Sequence, residues 1–173
     1  MVEATPPSIA CEGPEWLDAD EREMWLGITG VLMRLPAALD AQLQQDAQLS
    51  YFEYLLLAML SEQPSRTLQM SELASITHAS LSRLSHVVRR LELRGLVTRS
   101  ADDHDRRCTN ATLTNEGMSL VETVAPLHVA EVRRLVIDAI GPANQAEFAA
   151  GCMAILHEVD PGGPMSLLPK ASN

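Results

Sequence analysis

Between His78 and Asn110 the chain carries seven arginines (Arg83, Arg89, Arg90, Arg94, Arg99, Arg106 and Arg107) against four acids. The protein as a whole has a formal charge of −10. From Leu49 to Met118 eight basic and eight acidic side chains balance, so the acidic excess lies wholly outside that stretch. An acidic body with one basic segment localises positive potential where a polyanion would sit. Arginine suits that task, because its planar fork of N–H donors pairs with phosphate oxygens or with the edge of a base.

Other reactive side chains do not gather in this way. His78, His86, His104, His128 and His157 include no i,i+4 pair and no CxxC companion, so neither a metal site nor a cofactor is expected. Cys11, Cys108 and Cys152 form no pairing framework, which points to a reducing cytoplasm. The spacing holds no Gly-rich phosphate loop, no Ser-His-acid set and no carboxylate pair, so the reading is not an enzyme. No stretch approaches the roughly 18 apolar residues of a membrane span. The N-terminal residues are acidic and Pro-bearing rather than basic then apolar, unlike a secretory signal.

The elements that must carry the arginines are mostly helical. A first helix is predicted from about Asp18 to Gln45, with Trp25, Ile28, Leu32, Leu35, Leu39 and Leu43 as its buried face and Pro36 as a kink. Ser50 and Glu53 have capping-box spacing at the head of an apolar helix to Ser61. Ser71 and Glu72 open a short third helix, and Ser80 caps a fourth that ends at Gly95. Leu96–Arg99 and Thr109–Leu113 then read as a two-stranded hairpin around a charged tip. Thr114 caps a long helix to about Ala139 with Pro126 inside it. A last helix begins at Gly141-Pro142, with Phe148, Cys152, Ile155, Leu156 and Val159 along one side. The fold class expected is mainly α (α+β).

The fourth helix orients the basic residues. Leu84, Val87, Val88 and Leu91 recur at i, i+3, i+4 and i+7, which turns Ser82, His86, Arg89 and Arg90 outward with Arg83 beside them. A short helix, a tight turn and a second helix offering Ser, Arg and His from its first turns is the helix-turn-helix arrangement, in which that helix enters the major groove. The hairpin tip, residues 102–107, has nothing to bury. Arginine on a slim ribbon can reach a minor groove, and Asp105 would orient an arginine there by a carboxylate–guanidinium pair.

Residues Leu73 to Gly117 resemble the multiple-antibiotic-resistance regulator (MarR) family. The resemblance rests on Leu73-Ala74, Leu91-Glu92, the run Arg94-Gly95-Leu96-Val97-Thr98-Arg99, then Asp105-Arg106-Arg107 and Leu113-Thr114-Asn115-Glu116-Gly117 at the family's spacing. The order of helices extends it over about residues 20 to 160. The turn Thr77-His78-Ala79 lacks the glycine often found there, and Asp103 stands where proline is common.

What the resemblance implies is a homodimer with a winged helix-turn-helix in each lobe, repressing transcription from palindromic promoter sites. Release by a small aromatic or phenolic ligand is the family's usual regulation. The organisation expected is an arm at 1–17, a dimerisation helix at 18–48, a winged helix-turn-helix DNA-binding lobe at 49–118, C-terminal dimerisation helices at 119–160 and an irregular tail at 161–173. The DNA-contacting residues would be Ser80, Ser82, Arg83, His86, Arg90, Arg106 and Arg107, with Asp105 supporting the wing. Trp25, Met33, Tyr51 and Tyr54 could line a ligand cleft, although apolar residues at helical spacing are more often core. The alternative function is a winged-helix protein-interaction module that has lost DNA binding.

Overall fold

The computed structural model describes residues 15–102, 105 and 107–161. The chain divides into two compact units, 1–35 and 36–173. The elements, in order, are α1 (Ala19–Ala47), α2 (Tyr51–Ser61), β1 (Thr67–Gln69), α3 (Met70–Ile76), α4 (Leu81–Leu93), β2 (Val97–Ala101), β3 (Thr109–Leu113), α5 (Asn115–Val132), a wider π turn over Arg133–Ile137, a short α6 (Asp138–Ile140) and α7 (Gln145–Val159).

Within the first unit, Asp18 caps α1. Its Oδ1 accepts from the amides of Asp20 and Glu21, both at 2.9 Å, and Glu21 reaches back to the Asp18 amide. The apolar face expected to be buried is buried only in part. Trp25 is 55% exposed and Leu32 is 65% exposed, and only Leu39 and Leu43, in the second unit, are buried. Within the first unit the apolar residues of that face remain largely exposed.

The second unit holds the core. Leu56, Leu57 and Leu60 of α2, Leu73 of α3, Leu84, Val88 and Leu91 of α4, Val97 of β2 and Val124 of α5 are almost completely enclosed. The Leu84–Val87–Val88–Leu91 stripe is buried as its spacing requires. The expected two-stranded hairpin is present as β2 and β3, and β1 joins it in a three-stranded antiparallel sheet ordered β1-β3-β2. β1 is three residues long, too short for its alternation to register, and it pairs Thr67 with Thr112 through hydroxyls 2.8 Å apart.

Local chemistry accounts for the element ends. Ser50 and Glu53 form the reciprocal capping box, Ser80 Oγ accepts from the Arg83 amide at 3.2 Å, and Thr114 Oγ1 accepts from the Gly117 amide at 3.0 Å. Three expected starts and stops shift. α3 begins at Met70, with Gln69 rather than Ser71 at its head and no side-chain cap. α7 starts at Gln145 rather than at the Gly141-Pro142 pair. The long helix gives way after Val132 to the π turn, for which no residue type is a marker.

The Arg94-Gly95-Leu96 and Leu113-to-Gly117 strings touch each other in space. Gly95 ends α4 at φ 73°, a left-handed value that suits glycine. Thr114 Oγ1 donates to the Gly95 carbonyl at 2.7 Å and its amide donates to Leu96 O at 3.1 Å. A Cβ on Gly117 would run into the Leu96 carbonyl. These residues lock the end of α4 to the start of α5, which fixes both edges of the wing.

Candidate nucleic-acid interface

α3, the turn and α4 form a helix-turn-helix. His78 occupies the turn at φ 49°, left-handed backbone that explains why glycine is common there and that histidine tolerates better than most residues. Ser80, Ser82, Arg83, His86, Arg89 and Arg90 all lie exposed along α4. The first turn of α4 contains no acid, so its positive end is uncompensated.

The arginines of the basic segment divide by what they touch. Arg90 is tied to Glu53, with Nε at 3.1 Å and Nη2 at 3.0 Å from Oε1. Burial pushes the Glu53 carboxyl up, but hydrogen bonds from the Ser50 amide and hydroxyl and from Arg90 outweigh it and hold the group below the usual range. Arg94 donates to the carbonyls of Gln48 at 2.9 Å and Ala47 at 3.2 Å, serving the C-terminal end of α1, whose last turn has no basic residue of its own. Arg99 grips Glu92 through Nε at 3.0 Å and Nη2 at 2.6 Å. Those three are engaged inside the fold. Arg83 and Arg89 have no acidic partner at ion-pair distance among the described residues, and Arg83 lies over the Phe52 ring, 4.9 Å from its centroid.

On the wing, Arg107 is 95% exposed. Asp102 and Asp105 are occupied with groups of the hairpin itself. Asp102 Oδ1 accepts from the Asp105 amide, Asp105 Oδ1 accepts from the Arg107 amide, and Asp102 Oδ2 accepts from Asn110 Nδ2, each at 3.0 Å. Cys108 N donates to Asp105 O at 2.8 Å, closing the turn. Asp105 therefore supports the wing chiefly through the Arg107 backbone, its contact with the guanidinium being a long 4.0 Å. Arg106 lies outside the described residues.

The four residues suggested for a ligand cleft are divided between the two compact units. Tyr54 is part of the core, with its ring 4.6 Å from that of His128, and burial pushes its hydroxyl pKa up. Tyr51 is half-buried, 6.0 Å from the same ring. His128 is itself buried, which pushes its pKa down, and its Nδ1 is 3.0 Å from Gln42 Oε1. Trp25 and Met33 belong to the other compact unit, where both are exposed. Among the described residues no group of three or more His, Cys, Asp or Glu could hold a metal ion, and Cys108 and Cys152 are free. Arg89 lies on the outward face near Glu92, whose carboxyl Arg99, with help from Arg89, holds below the usual range, but among the described residues Arg89 makes no short ion pair of the kind that ties Arg90 to Glu53.

This arrangement recurs in proteins of known structure. A MarR family transcriptional regulator from Streptomyces coelicolor, solved in complex with DNA, superposes with a TM-score of 0.82 over 87% of this chain and 94% of its own, at 37% identity. The chain belongs to the MarR family. AbsC, a second MarR family regulator from Streptomyces coelicolor, matches at 35% identity with a TM-score of 0.81, over 86% of this chain and 99% of its own. The MarR family model itself matches residues 49–109. The transcriptional repressor MprA of Escherichia coli is 32% identical over 73 residues, 42% of this chain, and that match spans only 42% of the MprA chain. MarR proteins are transcriptional regulators rather than enzymes, and the winged helix-turn-helix with flanking helices is the fold they share. No described helix of this member is long and apolar enough to cross a membrane.

Proposed function

We propose that this MarR family regulator binds double-stranded DNA as a homodimer and represses transcription from palindromic promoter sites in the cytoplasm. The observation that carries the reading is the division of the arginines. Arg90, Arg94 and Arg99 are held by short hydrogen bonds or ion pairs within the chain, while among the described residues Arg83, Arg89 and Arg107 are exposed on α4 and the wing without such a short ion pair. A relative 37% identical was solved bound to DNA, which supports the same partner here. In this reading Ser80, Ser82, Arg83 and His86 sit at the major groove, Arg107 enters the minor groove and Arg106 meets the backbone beside it. Arg90 acts through Glu53 rather than on DNA.

The dimer would cover two apolar faces. One is on α1, where Trp25, Leu32 and Met33 are exposed; the other is on α7, where Phe148, Ile155, Leu156 and Val159 are exposed. Contiguous apolar surface of this kind is what a second copy buries. Release by a small aromatic or phenolic ligand completes the proposal.

The test is binding to a duplex selected from a random pool, measured as salt is raised. If each lobe neutralises three or four phosphates, the log–log slope for a dimer should be about −5 to −7. A slope near zero would favour the protein-interaction module instead.

A further inference from the structure

We infer that Phe52 is a positioning residue for Arg83, and that the two act together to read one guanine in each half-site; this rests on the DNA-binding reading above. Phe52 and Glu53 are neighbours in the first turn of α2, and Arg83 and Arg90 are seven residues apart on α4, two helical turns along one side. Each residue of the α2 pair holds one arginine. Glu53 neutralises Arg90, whereas Phe52 lies under Arg83 at 4.9 Å without neutralising it.

The chemistry of the two contacts differs in what it leaves free. An ion pair consumes the N–H edge of the guanidinium. A ring contact uses its face, so the edge keeps its donors and the full positive charge. Guanine presents O6 and N7 side by side in the major groove, and a guanidinium edge meets both. A long side chain that is already seated loses less freedom when DNA arrives. The seat is itself firm: Phe52 packs on the core of the lobe. The capping box one turn deep fixes the start of α2 through the Ser50 amide at 2.8 Å and the Ser50 hydroxyl at 2.9 Å, both donating to Glu53 Oε2.

The experiment is a double-mutant cycle in the full chain, with Phe52→Leu, Arg83→Ala and the double variant. Each is titrated against the duplex selected by the wild type, its single-base variants and a random duplex. Phe52→Leu should weaken binding to the selected duplex roughly threefold per half-site, flatten the preference for guanine at one position and leave random-duplex binding unchanged. In the Arg83→Ala background it should have no further effect, and Phe52→Tyr, which keeps the ring face, should restore the preference. Phe52→Met provides a second apolar variant if the leucine chain is unstable. Additive losses, equal losses on random duplex, or tighter binding by Phe52→Leu would each overturn the inference while leaving DNA binding intact. A wild-type chain that selects no sequence at all contradicts the DNA-binding reading and the inference with it.

Discussion

Arg90 on α4 and Glu53 on α2 form an ion pair with Nη2 3.0 Å from Oε1, joining segments 37 residues apart. The pair is lopsided: the Glu53 side chain is 8% exposed and that of Arg90 is 60% exposed. Solvent screens the arginine end, so most of the value lies in the hydrogen bonds to the carboxylate. Glu53→Gln should therefore cost about 1 kcal/mol at pH 7. The Glu53 carboxyl is held below its ordinary range in the folded chain, so its contribution is complete above the unfolded value of about 4.3. It is lost as pH falls through the lower folded value. Urea unfolding of both chains should show the gap closing below about pH 4; a gap that widens toward acid contradicts the assignment. Arg90→Ala, in turn, should reduce stability more than it alters base preference.

Much of this architecture is legible in residue order because it depends on local periods and caps. The Leu84–Val87–Val88–Leu91 stripe orients α4 whatever its neighbours are, and Ser50, Ser80 and Thr114 mark helix starts through bonds made within three residues. β1 escapes because three residues carry no alternation, and the π turn after Val132 escapes because no side chain specifies it. The partners of the arginines escape for another reason. Arg94 reaches carbonyls 46 and 47 residues away, and Arg99 meets Glu92 only because the chain reverses at Gly95. An excess of arginine in one segment therefore does not say which of those arginines are held by partners within the chain.

Gly117 should tolerate no side chain. Any Cβ there meets the Leu96 carbonyl, and α5 cannot move away while Thr114 is bonded to Gly95 and Leu96. Gly117→Ala should cost about 1–3 kcal/mol, the usual range for overpacking. A thermal melt that left the midpoint unchanged would show that the α4–α5 junction is looser than described.

The dimer proposal has its own test. Leu32 is 65% and Leu156 45% exposed in the single chain, so Leu32→Glu and Leu156→Glu touch no residue of the buried core. Wild-type protein should scatter light as twice 18.9 kDa at micromolar concentration, and the double variant should move toward 18.9 kDa while keeping its helical signal. A wild-type monomer under those conditions removes the homodimer from the mechanism.

The most direct test of DNA recognition compares Arg83→Ala with Arg107→Ala across a library of duplexes, with melting temperature as control. Both side chains project from the core, so neither change should unfold the protein. Arg83→Ala should cost about 1–3 kcal/mol per half-site on the selected duplex and relax preference at one position. Arg107→Ala should weaken binding to every sequence, most where A·T-rich flanks narrow the minor groove. If Arg83→Ala changes neither affinity nor preference in a folded chain, α4 does not read the major groove and the central claim is wrong.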